Sequence, residues 1–142
     1  MVLVADASVV AKLFLDEEDK PMAVDLFRHA TVEGEPLLVP DIVVSECMSV
    51  GLRKSVPLGE VHDMLTVAFG AFLKLVVPDR GIWVLAGEMA KGHPDHGRPG
   101  LQNCLYHAIA IELEGTLVTA DRGHLNKTAR WAHAIALDEW RP

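Results

Sequence analysis

Residues 101–124 read LQNCLYHAIAIELEGTLVTADRGH, and this stretch decides the fold. Its first half has the composition of a helix. A turn at Glu114-Gly115 follows, then a short apolar strand, Thr116-Leu117-Val118-Thr119, and then an acid, Asp121, just past the strand's end. Ligands of open α/β sheets gather outside the carboxyl ends of the strands. An acid at that point is a candidate for chemistry rather than mere solubility.

The same alternation extends outward in both directions. Apolar, Val- and Leu-rich runs at residues 1–5, 37–39 and 75–77 have the character of strands buried on both faces, and a last short strand is expected at residues 134–137. Helical spacing separates them. Ser8 is placed to cap the first helix through its hydroxyl. A second helix follows the acidic run 16–19 to about Ala30. A third runs from Asp41, read as its N-cap, to about Lys54, and carries Glu46 on an otherwise apolar face. A fourth carries Val61, Leu65, Ala68, Phe69 and Phe72, a fifth spans residues 80–91, and a final one lies near residues 125–131. Residues 92–100 form a polar Gly/Pro loop. Strands separated throughout by helices imply βαβ units. The expectation is one α/β domain over residues 1–142, a three-layer sandwich with a mostly parallel sheet of about five short strands and helices on both faces.

Bulk properties narrow the function. Hydrophobic residues make up 50% of the 142, which suits a packed core rather than a disordered chain. A formal charge of −7 argues against a broad cationic surface that grips nucleic acid through its phosphates. It leaves open an enzyme on nucleic acid whose acids hold metal. Two cysteines, Cys47 and Cys104, offer no disulfide framework, and no apolar run approaches the ~18 residues of a membrane span. A cytoplasmic setting with no membrane partner is the expectation.

Three acids share one architectural position. Asp6 follows the first strand, Asp121 follows the strand at 116–119, and Glu46 lies in the early turns of the helix after the second strand. In a parallel sheet all three converge at the carboxyl edge. Clustered carboxylates repel one another unless a cation is present. Hard oxygen donors suit Mg²⁺ or Mn²⁺, which can polarise a phosphoryl oxygen and supply hydroxide for in-line attack.

The blocks VLVADASVVAKLFLDEE, LLVPDIVVSECMSVGLRK and NCLYHAIAIELEGTLVTADRGHL together resemble the three signature blocks of PIN domains, most closely those of VapC-type toxins of toxin–antitoxin pairs. The resemblance spans essentially the whole chain in the right order. It implies a metal-dependent endoribonuclease acting on RNA, a homodimer, and a small cognate antitoxin whose tail occupies the groove beside the acids. It carries Asp6, Glu46 and Asp121 into the roles of catalytic and metal-binding acids. The family's remaining acid, at the start of the helix before the last block, corresponds to Asn103. Asn keeps the shape of Asp but loses the charge and gains an NH₂ that cannot ligate a cation. A weakened or inactive enzyme is therefore expected. Asn103 has three open readings: an engineered neutralisation, a natural variant of reduced activity, or a chain that has lost catalysis and kept its partner.

Secondary candidates are weighed against plainer roles. Ser8 and Thr119 are auxiliary candidates for orienting a carboxylate or water, with helix capping and strand-end hydrogen bonding as the alternatives. Lys12, Arg53 and Lys54 offer a local RNA-facing patch or solvated helix ends, and Arg122 reads as a surface residue. His93 and His96 lack the companions of a zinc site. Cys47, Cys104 and the aromatics Phe27, Phe69, Phe72 and Trp83 read as core or interface. A phospho-acceptor signalling domain fits poorly, since Ala5-Asp6-Ala7 offers one acid where that class wants a pair. A catalytically silent antitoxin-binding module stays open because of Asn103.

Overall fold

A computed structural model describes residues 1–142. Five short strands form one sheet: β1 (Leu3–Ala5), β2 (Leu37–Val39), β3 (Leu73–Leu75), β4 (Thr116–Thr119) and β5 (Ala134–Ala136). The sheet order is β3-β2-β1-β4-β5, and every neighbouring pair is parallel. Parallel neighbours need crossovers, and helices supply them: α1 (Ala7–Val10), α2 (Lys20–Glu33), α3 (Ile42–Arg53), α4 (Leu58–Ala71), α5 (Arg80–Ala90), α6 (Leu101–Glu112) and α7 (Arg122–Lys127). Burial follows from this layering. Val4, Ala5, Leu37, Val39, Leu117 and Val118 have essentially no exposed surface, as expected of strands covered on both faces. No helix is long and apolar enough to cross a membrane.

The strand order carries functional information. From β1 the chain moves through β2 to β3 on one side, whereas from β4 it moves to β5 on the other. The order therefore reverses between β1 and β4, which are hydrogen-bonded neighbours with Ala5 opposite Val118. Such a switch point opens a crevice at the strands' carboxyl ends. Asp6 leaves β1 at that crevice and Asp121 lies just past the end of β4.

One local reading is corrected, and one turn is sharpened. The third strand begins at Leu73, two residues before the apolar run at 75–77, because α4 delivers the chain straight into the sheet. Phe72 stacks on Phe27 with ring centroids 4.6 Å apart and its carbonyl accepts from Leu37 N, which fixes the register. Val77 is left largely exposed beyond the sheet. At the turn after α6, the left-handed residue is Glu114 (φ 54), not the glycine. Gly115 is required for space: a Cβ there would lie 2.5 Å from the Val2 carbonyl oxygen. The sequence uses its glycine for close approach to β1, and a glutamate takes the conformation that usually falls to glycine.

Candidate active site

Asp6 is the centre of the site. It is 2% exposed and accepts three hydrogen bonds, from Ser8 Oγ at 2.5 Å, from Val9 N at 3.3 Å, and from Thr119 Oγ1. Asp6, not Ser8, therefore caps α1. The correction has a simple cause: Ser8 lies inside the first helical turn, where its hydroxyl reaches back to the carboxylate. Ser8 Oγ accepts from Ala120 N and Thr119 Oγ1 accepts from Asp121 N, both at 3.0 Å. Each hydroxyl thus takes a backbone N–H from the turn after β4 and donates its own hydrogen to Asp6. The two auxiliary residues brace the end of β4 onto the end of β1.

Burial pushes the Asp6 carboxyl up from 3.8 to about 6. The hydrogen bonds from Ser8, Thr119 and Val9 oppose the shift, and the nearby Asp121 charge adds to it. Asp121 caps α7 through His124 N at 3.0 Å. Its other oxygen accepts from Asn103 Nδ2 at 3.2 Å. Asn103, in the first turn of α6, thus meets Asp121 as a donor, in the position where the resemblance places an acid.

Glu46 comes from α3. Desolvation raises its proton affinity, offset in part by Tyr106, whose hydroxyl donates to Glu46 Oε1 at 2.7 Å. Tyr106 is completely buried. Sequence reading missed it because a lone tyrosine in an apolar helix reads as packing. The signal that was present is its spacing, three residues after Asn103 and so on the same face of α6. Glu46, Asn103, Ser8 and Arg53 line a cleft of about 420 Å³. Arg53 is the member of the expected basic patch that faces this cleft. Lys12 is not available to RNA, since its side chain is buried and held by Glu17 at 2.9 Å and Asp19 at 2.7 Å. Arg122 is exposed and pairs with Asp138.

A second missed feature is a buried histidine pair that joins α6 to α7. His124 Nε2 lies 3.0 Å from His107 Nδ1, and His107 Nε2 lies 2.5 Å from the carbonyl of Ala132. If His107 donates to that carbonyl, its Nδ1 must accept from His124, which leaves His124 Nδ1 as a buried acceptor with no partner. Ala132 and His133 both have positive φ, so the pair holds a strained turn against α6 and α7. Burial lowers the proton affinity of His107 and brings that of His124 to about 4.

A PIN domain model matches residues 3–130. The chain belongs to the PIN domain family. PIN domains are generally metal-dependent nucleases that act on nucleic acid. None of the curated proteins compared with the chain matches it. Within this PIN domain, no three His, Cys, Asp or Glu side chains form a group able to hold a metal ion. That does not put the donor set at odds with a metal, because Mg²⁺ commonly uses one or two carboxylates and completes its shell with water and substrate oxygens. Asp6 and Asp121 are hard, neighbouring oxygen donors, and the Asp121 charge adds to the proton affinity that burial gives Asp6. They fit a hard divalent cation, and Glu46 lines the adjoining cleft with Ser8 and Asn103, whereas Asp6 and Asp121 do not line it. His93 and His96 stand 5.4 Å apart in the Gly/Pro loop without a zinc set around them. Cys47 and Cys104 are buried, and burial pushes their thiols up to about 12 and about 11, so neither is a nucleophile.

Proposed function

We propose that this PIN domain is the toxin of a toxin–antitoxin pair, an endoribonuclease dependent on Mg²⁺ or Mn²⁺ whose activity Asn103 attenuates. The observation that carries the reading is the buried Asp6, braced by Ser8 and Thr119 and set beside Asp121 at the switch point of a parallel sheet. Asp6 and Asp121 are the metal-holding acids, and Glu46 with Asn103 completes the set from the adjoining cleft. When bound, the cation would supply Lewis-acid polarisation of a phosphodiester and a water made acidic enough to attack it. The protein's own part is orientation. Ser8 and Thr119 hold the Asp6 carboxylate, while the backbone N–H of His124 in α7 holds Asp121. Arg53 offers a cation to an RNA phosphate entering the cleft.

Asn103 weakens this arrangement in two ways. It brings no charge, and its NH₂ occupies an oxygen of Asp121. That contact also favours the second reading, a silent PIN domain that keeps only its partner. An antitoxin whose basic side chain enters the acidic cleft, a homodimer and a cytoplasmic setting belong to the proposal. The test is cleavage of single-stranded RNA with Mn²⁺ by this chain and by Asn103→Asp. A gain of about tenfold or more in the variant, abolished by EDTA, supports the nuclease. Metal-free behaviour in both, with retained binding to the product of a short adjacent reading frame, supports the silent module.

A further inference from the structure

Helix α6 reaches the acidic edge twice. Asn103 Nδ2 donates to Asp121 Oδ2, and three residues later Tyr106 Oη donates to Glu46 Oε1. Positions three apart share a helix face, so one rigid element contacts two carboxylates, Asp121 and Glu46. The second of these contacts goes further than the satisfaction of a buried phenol. A phenol needs only a neutral acceptor, such as a backbone carbonyl. Here it takes an ionisable glutamate from another helix, 60 residues away in sequence. A glutamate is a flexible side chain whose fixing costs rotamer entropy, and a short charge-assisted hydrogen bond is a strong way to fix it. With Oε1 so held, Oε2 accepts no hydrogen bond from the protein and is the oxygen left to a ligand in the cleft.

We propose that Tyr106 is a positioning residue of the acidic site: its hydroxyl sets the rotamer of Glu46, and α6 thereby fixes the separation of Glu46 from Asp121. The proposal rests on the metal-dependent reading given above. Tyr106 touches neither substrate nor metal and acts through Glu46 alone.

Tyr106 is the single tyrosine of the chain, which gives a direct spectroscopic handle. Mn²⁺ affinity is measured by calorimetry on full-length Asn103→Asp and on the same chain carrying Tyr106→Phe, Glu46→Gln or both. Tyr106→Phe should weaken Mn²⁺ by about tenfold, as loss of an outer hydrogen bond to a ligand does. The double substitution should be no weaker than Glu46→Gln alone. Binding by Tyr106→Phe within twofold of its parent, or additive losses in the double variant, would overturn the role of Tyr106 and leave the metal site standing. No binding by Asn103→Asp itself would overturn the metal reading and this one with it. Should Tyr106→Phe fail to fold, ring-¹³C-tyrosine NMR reads the contact in the unsubstituted residue. Saturation with Mg²⁺ should move the single Cζ resonance, and Glu46→Gln should abolish the movement. A resonance that Mg²⁺ leaves in place would overturn the proposal.

Discussion

Replacing Asp6 by Asn should change the pH dependence of folding in a way that can be worked from its surroundings. Asp6 is buried, and its carboxyl is raised from 3.8 to about 6, chiefly by desolvation. A group whose folded pKa lies above its unfolded value stabilises the fold fully below the unfolded pKa and loses that contribution as pH rises through the folded one. For Asp6 the window is therefore 3.8 to about 6. The whole effect is about 3 kcal/mol, since each tenfold change in proton affinity is worth about 1.36 kcal/mol. At pH 8 the ionised carboxylate costs the native state that amount. The amide introduced by Asp6→Asn cannot ionise and escapes the cost, but it has one acceptor oxygen where Asp6 uses two, and Thr119 must turn its hydroxyl. That exchange loses about 1 kcal/mol. The variant should thus be more stable than the parent by about 2 kcal/mol at pH 8, and less stable by about 1 kcal/mol near pH 4. Urea denaturation followed by circular dichroism, in EDTA at pH 8, 6 and 4, measures both. The histidines titrate in each protein and cancel in the difference. Parallel stability curves, with no change in the difference between pH 8 and pH 4, would show that Asp6 is not an uncompensated buried carboxylate.

Asn103→Asp should lower metal-free stability by up to about 1 kcal/mol, through the lost donor to Asp121 and the added charge. It should also make the melting temperature rise with added Mn²⁺ more steeply than in the parent; equal rises would remove position 103 from the metal site. His124 predicts an acid limb of opposite sign to that of Asp6. Its folded pKa is lowered to about 4, mainly by burial, so its contribution is whole above 6.5 and is lost as pH falls towards 4. The loss amounts to about 3 kcal/mol. His124→Gln should flatten that limb in the same denaturation series, and an unchanged limb would place the titration elsewhere. Glu114→Gly should raise stability by about 0.5–1 kcal/mol, because Glu114 holds φ at 54 beside a glycine that cannot exchange places with it. A neutral or destabilising result in thermal unfolding would contradict the account of that turn.

The fold was legible because its signals are local. Short Val- and Leu-rich runs ending in Asp6 or in Thr119-Ala120-Asp121 announce buried parallel strands with acids at their ends, and helical spacing between them supplies the crossovers. Asp6 and Asp121 could be named for the same reason. What stayed hidden depends on contacts between distant residues. Lys12 looked like a solvated helix end, yet the chain brings Glu17 and Asp19 back over it. Tyr106 and the His107–His124 pair carry no local mark, because in an apolar helix a tyrosine or histidine has the same neighbours whether it packs or donates. The third strand was misplaced by two residues, since the stacking of Phe72 on Phe27 sets its register and the apolarity of residues 75–77 does not.

The neutrality of residue 103 is not a demand of the helix that bears it. Asn103 is the third residue of α6, whose first turn contains no acid. An acid there would meet the positive end of the helix dipole and gain about 0.3–1 kcal/mol, so local physics favours Asp over Asn. Whatever favours Asn must lie across the crevice, where its amide donates to Asp121. The donors around the acids point the same way: Ser8, Thr119 and Val9 serve Asp6, His124 N and Asn103 serve Asp121, and Tyr106 serves Glu46. Each carboxylate is met by at least one donor of the protein itself. Asp at position 103 would remove one donor and add one charge, while the helix dipole offsets part of the cost. The fold therefore tolerates the change with a small loss, and the site gains a need for positive charge. On the proposed reading, the cost to folding and the effect on metal binding can be measured separately at this one residue.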